Sequence, residues 1–401
     1  MGDRSNIDWI PTGTSFGVEE MTWFVGRGER CVDDVLGDVD LIITGPHASA
    51  ALPAELQPFI DGRLTRRLQY DFTDVSTSPV ARCWAEIDPH VLYIEDPHPR
   101  AVRDANRPRP SDVVGALREA FRRLGEHPTP ERPSLAGVDA VRPVTFGYLP
   151  VYVEPADEAG WNALGSALAV AGALGVDRYE AVRDDLVQRV IDAKLRKLAV
   201  LDPAACTVAD WNAATSLDLL SFHDTMNHTA RPDGAICLER AAADRLPSVV
   251  ALSNRGGSDG SVRELDDDGL RSDDAVPSMR PRRLWAIADA YRTVFDAWGD
   301  DEVAFNRPYL GGYETTTAGP LFRAFEPRCV VRRPGHEPRR LRLGAFQNEF
   351  RREFLLGEHA TAQLMQPGTD WVEPPEERVQ WLAERLRDAH QLVRTGRTAR
   401  R

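Results

Sequence analysis

Cysteine is scarce in this sequence: Cys31, Cys83, Cys206, Cys237 and Cys329 are an odd five scattered over 401 residues. No two have the short spacing of a zinc knuckle or a redox pair, so a reduced, cytoplasmic setting is the expectation. Positive charge is also in deficit. The 49 Lys and Arg against 62 Asp and Glu leave a formal charge of −13. That argues against a general nucleic-acid binder, which carries a basic stripe. It leaves open a small anionic ligand, because a local arginine pocket can outweigh the global field. The polar start, Met-Gly-Asp-Arg-Ser-Asn, lacks the basic-then-apolar order of a signal peptide. No apolar run approaches the roughly 20 residues that cross a bilayer, and there is neither an internal repeat nor a heptad run. A soluble protein with no membrane partner is expected; nothing here specifies an oligomeric state.

What the chain does have is 42% hydrophobic residues, enough for a sizeable core, in short runs that alternate with longer helical patterns. Buried strands are expected at Asp40–Thr44, Val91–Ile94, Leu217–Phe222, Val249–Leu252, Val303–Phe305 and Leu341–Phe346. Helical spacing of apolar residues appears over Ser111–Gly125, Asp177–Val200 and Arg283–Trp298. A C-terminal helix over 373–395 opens at Pro374-Pro375-Glu376-Glu377 and runs through Trp381, Leu382, Leu386 and His390. Alternation of strand and helix predicts an α/β protein, a three-layer α/β/α sandwich on a mixed, largely parallel sheet. We read residues 1–401 as a single catalytic domain. A Pro- and Arg-rich surface loop is expected at 126–143, and a Gly-rich acidic stretch at 254–277 reads as a mobile insertion loop.

The polar residues cluster just after the apolar runs. His47 and His223 each follow one. Arg100, Asp104, Asn106 and Arg107 follow the run ending at Ile94. Asn306, Tyr309, Gly311 and Gly312 follow Phe305, and Gln347 and Glu349 follow Phe346. In open α/β sheets, ligands bind beyond the carboxyl ends of the strands. If the runs are parallel neighbours, these side chains share one crevice.

Catalytic zinc usually takes three protein ligands and leaves a position for water. Two histidines and a carboxylate fit that inventory: His47 and His223 with Asp74, or with Asp71 instead. Each histidine read alone is more often an ordinary hydrogen-bonded residue near a helix start. Glu349 suits a general base beside a metal-bound water, and Glu353, one helical turn on, competes for the role. Arg100 and Arg107 read as anion contacts, since guanidinium groups form bidentate pairs with carboxylates, or as surface ion pairs with neighbours such as Asp104. The paired glycines of 306–312 suit a tight loop close to a bound group.

Together these blocks resemble the N-formylglutamate amidohydrolase family. Pro46-His47-Ala48-Ser49 is similar to its first histidine motif, and Asp74 stands where the family has an Asp. Arg100-Ala-Val-Arg-Asp104-Ala-Asn106-Arg107-Pro108 resembles its Arg-x-x-x-Asp-x-Asn-Arg-Pro signature. Phe222-His223-Asp224-Thr225-Met226, Asn306-Arg-Pro-Tyr309-Leu-Gly311-Gly312-Tyr313 and Phe346-Gln347-Asn348-Glu349 are similar to three later motifs. The six blocks keep the family's order over about residues 45–355.

The resemblance implies a fold like the zinc carboxypeptidases. It implies zinc, or another divalent transition metal, on His47, Asp74 and His223 with Glu349 as base, and Asn106 and Arg107 on a substrate carboxylate. It thus implies hydrolysis of an N-formyl or N-acyl amino acid, a deformylase-type amidohydrolase activity. Ala48-Ser49 and Asp224-Thr225 depart from the family's pattern, which alters the pocket walls and leaves the acyl and amino-acid parts of the substrate open. Rival readings are a carboxypeptidase- or aspartoacylase-like deacylase and a catalytically silent metal-binding protein on the same scaffold.

Overall fold

In a computed structural model, which describes residues 7–126, 133–230, 236–238, 240–263, 276–299, 301–332 and 337–396, six of the strands and four of the helices fall where the apolar periodicity places them. The middle parts of the two expected loops, 127–132 and 264–275, lie outside the described residues. We number the strands of the main sheet β1 (Thr22–Trp23), β2 (Leu41–Gly45), β3 (Val91–Glu95), β4 (Ser216–Thr225), β5 (Val250–Ser253), β6 (Val303–Phe305) and β7 (Arg342–Arg351). Their spatial order is β6-β5-β7-β4-β2-β3-β1. Pairings β2–β3, β2–β4, β4–β7 and β5–β6 are parallel, whereas β5–β7 and β1–β3 are antiparallel. The sheet is therefore mixed and largely parallel. The parallel-neighbour condition set out above holds for β2, β3, β4 and β7. It fails for β5 and β6, which run against the central four.

Side chains of a strand alternate between the two faces of its sheet, and the core divides accordingly. Ile42, Leu92, Leu217, Leu219, Leu343 and Ala345 pack with the first helical layer. That layer contains α3 (Glu158–Leu174), α4 (Val176–Val200) and α7 (Tyr313–Phe325). Leu41, Ile43, Leu220, Phe222, Phe346 and Phe350 pack with the second. It is formed by α1 (Thr77–Ile87), α6 (Pro281–Phe295) and α9 (Glu376–Thr395). Further helices include α2 (Val113–Glu126), α5 (Val208–Thr215) and α8 (Arg352–Leu364), besides short ones at Val18–Met21 and Arg66–Asp71. Each fully buried large apolar side chain contributes on the order of 1.5–3 kcal/mol, so two such faces amply hold the sheet in place.

One helical run departs from the expectation that no apolar stretch is long enough to cross a bilayer. The helical run Glu158–Val200 is long and apolar enough, by length and composition, to cross a membrane. The cause is the Ala- and Gly-rich α3, which has few charges to interrupt it. In the fold Trp161, Leu164, Leu168 and Ala171 of that helix are buried in the first core layer.

The expected C-terminal helix begins at Glu376, after Pro374-Pro375, and its His390 is not an apolar contact. His390 Nε2 lies 3.0 Å from Asp40 and Nδ1 3.3 Å from Asp88, whose carboxylate Arg394 also grips at 3.1 Å. Burial opposes charging of His390, but Asp40 and Asp88 raise its pKa above the ordinary 6.5. Removing one partner of a buried ion cluster leaves the others unpaired, at roughly 3–5 kcal/mol. His390→Ala is therefore expected to lower unfolding stability by about that amount in denaturant titration. Because the folded-state pKa is raised, the His390 contribution is complete below the unfolded value and is lost as pH rises through the folded one. The gap between wild type and variant is expected to shrink at alkaline pH.

Candidate metal and active site

Three elements deliver the candidate ligands. His47 sits two residues after β2, His223 is near the carboxyl end of β4, and Asp74 lies just before α1. All three are almost wholly buried. The Asp74 amide donates to the His47 carbonyl at 2.9 Å, which ties the two segments together. His47 Nδ1 is 3.3 Å and His223 Nδ1 2.8 Å from Asp74 Oδ2. One ligand atom from each of the three residues lies within 4.8 Å of the others. Tetrahedral nitrogen and oxygen ligands of zinc stand about 3.3 Å apart, so the cluster has the right scale.

The outer nitrogens decide what the inner ones can do. His47 Nε2 donates to Asp104 Oδ1 at 2.6 Å. Ser221 Oγ donates to Glu314 Oε2 at 2.6 Å, so it accepts from His223 Nε2 at 2.8 Å. Both rings thus direct an N–H outward, which leaves each Nδ1 facing the Asp74 carboxylate. Two imidazole nitrogens facing a carboxylate at this range are held together by a positive charge, a proton or a cation, and a carboxylate behind the histidine is a recurring support of metal sites. The donor set fits a zinc-like divalent ion. Burial opposes ionisation of Asp74, yet Arg100, His47 and His223 hold its carboxyl well below the usual range. Burial likewise opposes charge on His223, while Asp74 and Glu349 push its pKa up.

Beneath the cluster lies a carboxylate that sequence reasoning missed. Glu314, in the first turn of α7, accepts from Thr44 Oγ1 and Ser221 Oγ at 2.6 Å, from Tyr179 OH at 2.7 Å and from Arg183 Nη1 at 2.9 Å. Burial opposes its charge, but Arg183 and the hydroxyls keep its pKa below the ordinary value. Ser221 was findable: two residues before His223 on a strand, it shares that residue's face. Glu314, directly after Gly312-Tyr313, carries no comparable signal.

A cavity of about 220 Å³ opens on the cluster, walled by His47, Asp74, His223, Arg100, Arg107 and Glu349 among others. Glu349 is the register partner of His223 on the adjacent strand and faces the same way. Its oxygens accept from Thr225 Oγ1 at 2.6 Å and Gln347 Nε2 at 2.9 Å. Burial raises the Glu349 carboxyl above the ordinary range, resisted by His223 and assisted by Asp74. Glu353 is occupied elsewhere, accepting from the Asn227 amide at 3.3 Å and pairing with His228 Nδ1 at 2.8 Å. Asp71 is held by Arg67 at 2.9 Å and is not part of the ligand group.

The remaining candidates divide between lining and support. Arg100 lines the cavity with Nη2 on Asp74 Oδ1, while its Nε has no hydrogen-bond partner among the described residues. Arg107 also lines it, with Nε on Asp139 at 3.1 Å and Nη1 on the Asn106 carbonyl at 3.0 Å. Asp104 sits behind His47. Asn106 lines the cavity, and its Oδ1 accepts from the Glu314 amide at 3.1 Å.

Asn306 is not in the wall. Its amide side chain donates to Asn254 Oδ1 at 3.0 Å and the Gly257 carbonyl at 2.7 Å, which fastens two loops together. Since β6 runs the other way, the chain must turn back after Asn306 to bring Tyr309, Leu310, Gly311 and Gly312 to the cavity. A Cβ on Gly312 would stand 2.1 Å from Asn106 Nδ2, so the glycine permits that approach. Arg240, a further wall residue, donates to Tyr309 OH at 2.8 Å. It comes from the segment after Asn227, where no motif pointed to it.

Asp104→Asn keeps the shape behind His47 and removes the charge. Losing such an outer-shell carboxylate typically costs 10–100-fold in metal affinity. That is the drop expected in a chelator competition titration, with the fold intact by circular dichroism.

No family model matches the sequence. No curated protein matches it. Among solved structures the chain is similar to an N-formylglutamate amidohydrolase from Ralstonia eutropha JMP134, at 18% identity over 89% of this chain and 92% of that one, with a TM-score of 0.45.

Proposed function

We propose that this protein is a metal-dependent amidohydrolase that cleaves the amide bond of an N-formyl or N-acyl amino acid. The observation that carries the reading is the convergence of His47 Nδ1, His223 Nδ1 and Asp74 Oδ2 beside a buried glutamate in an arginine-walled cavity. A divalent ion held by these three residues, zinc by preference, polarises a carbonyl and lowers the pKa of water toward about 7.

The protein's own groups supply the rest. Glu349 takes the proton from the attacking water and passes it to the departing nitrogen, a shuttle favoured by a raised carboxyl pKa. Asn106 and Arg107 hold the substrate carboxylate, with Tyr309, Gly311 and Gly312 forming the facing wall. Arg100 fixes Asp74 through Nη2 and, as a wall residue, brings a positive charge to the side of the cavity where an oxyanion would develop. Asp104 acts through His47 as a positioning residue. The test combines metal content with release of formate from a panel of N-formyl amino acids. Wild type is expected to bind about one ion per chain and release formate, and His47→Ala to do neither. Full turnover in metal-free protein sinks the proposal.

A further inference from the structure

A second concave site lies at the other end of the sheet. A groove of about 980 Å³ opens at the amino ends of β4 and β7, bordered by Thr215 and Arg342. Along β7 the distance from Arg342 to Glu349 is about 23 Å, so this groove is not an extension of the candidate active site.

Its lining is five arginines, Arg280, Arg323, Arg339, Arg340 and Arg342, against two carboxylates, Glu326 and Glu337. On a chain of net charge −13 this is a local reversal of sign. Only part of it is neutralised. Arg280 pairs with Glu326 at 2.6 Å. Arg339 gives Nη1 to the carbonyls of Leu198 and Leu201 and sets its guanidinium over the Trp211 ring, 5.9 Å from the centroid. Among the described residues, Arg323 reaches only the backbone carbonyls of Val276 and Pro277, and Arg342 only Thr215. The Arg340 backbone pairs with Val330, but its side chain is exposed and makes no hydrogen bond or ion pair among the described residues. Burial, and then the neighbouring Arg283, pull the Arg342 pKa below the ordinary arginine value.

Like charges crowded in this way are stabilised by a multivalent anion. The guanidinium fork matches phosphate oxygens bidentately. The volume is at the upper end of small-molecule sites and exceeds what a single inorganic anion fills. A long polyanion suits it less well, because the acidic remainder of the surface repels it. We propose that this groove is a second ligand site, for a small molecule carrying two or more phosphates. The inference stands apart from the hydrolase reading and survives its failure.

The test is calorimetric titration of the full chain with tripolyphosphate at low and raised salt. Binding is expected at low salt and weakens as salt rises. Arg340→Glu is expected to weaken it at least tenfold with an unchanged melting temperature, since the Arg340 side chain is exposed and unpartnered among the described residues. Arg122→Glu on α2, a remote charge-matched control, is expected to change it less than twofold. Three results overturn the proposal: no binding at low salt, equal weakening in the two variants, or a polyglutamate peptide binding as tightly as tripolyphosphate.

Discussion

Glu349→Gln is expected to lower kcat by about 10²–10⁴-fold, the range a positioned general base supplies, while the ion stays bound. The amide is close to the carboxylate in size and keeps one oxygen for Thr225 Oγ1; its nitrogen gives up the bond from Gln347 Nε2, a loss outside the ligand cluster. Proton transfer is what disappears. Metal content should match wild type, and KM should move little because Glu349 is not assigned a substrate contact. The pH profile adds an independent reading. A base works only when ionised, and burial raises this carboxyl above the ordinary 4.5. Wild-type activity is therefore expected to fall as pH drops through that raised value, and the acid limb should vanish in Glu349→Gln. A variant retaining wild-type kcat excludes Glu349 from the chemistry.

His223→Ala is the second large effect. Structural zinc sites bind with about 10–16 kcal/mol spread over four ligands. One ligand then accounts for about 2.5–4 kcal/mol, or about 10²–10³-fold in affinity. The variant is expected to lose its ion on dialysis and its turnover with it. Removal also strips Ser221 and Asp74 of a partner at once, since His223 bridges them at 2.8 Å on both sides. Competition with a chromophoric chelator measures the affinity directly. Wild-type affinity in the variant rules out His223 as a ligand.

Much of this molecule was legible from periodicity alone. The strands at 41–45, 91–95, 216–225 and 303–305 announce themselves because each is a short apolar run bounded by turn residues. The direction of β5 and β6 was not legible. Strand polarity is decided by the connections, and an apolar run reads the same in either sense. That is why Asn306 appeared to face the crevice and instead pins two loops, while Tyr309 to Gly312 return to the wall.

The candidate ligand cluster was legible through the order of several weak motifs. Its support was not. Glu314 is more than 200 residues from Asn106 and more than 90 from Ser221 in the chain, and only the fold brings them together. The carboxylate of Asp104 looked like a partner for arginine or substrate because sequence shows the acid but not the imidazole in front of it. Arg240 had no signal at all, since it arrives on a segment that matches no motif.

His223 and Glu349 are directly opposed in the ladder of two parallel strands, each flanked by a further strand of the sheet. Their separation is set by backbone spacing, about 4.8 Å between strands, and not by any loop. On the proposed function, reactivity and selectivity are thus built on different kinds of chain. The pairing that would do the chemistry cannot drift without unzipping the sheet, whereas the Tyr309–Gly312 turn and the Arg240 segment are free to change length and composition. Descent of new substrate preferences from this scaffold would be written in those two segments, over an unchanged pair of strands.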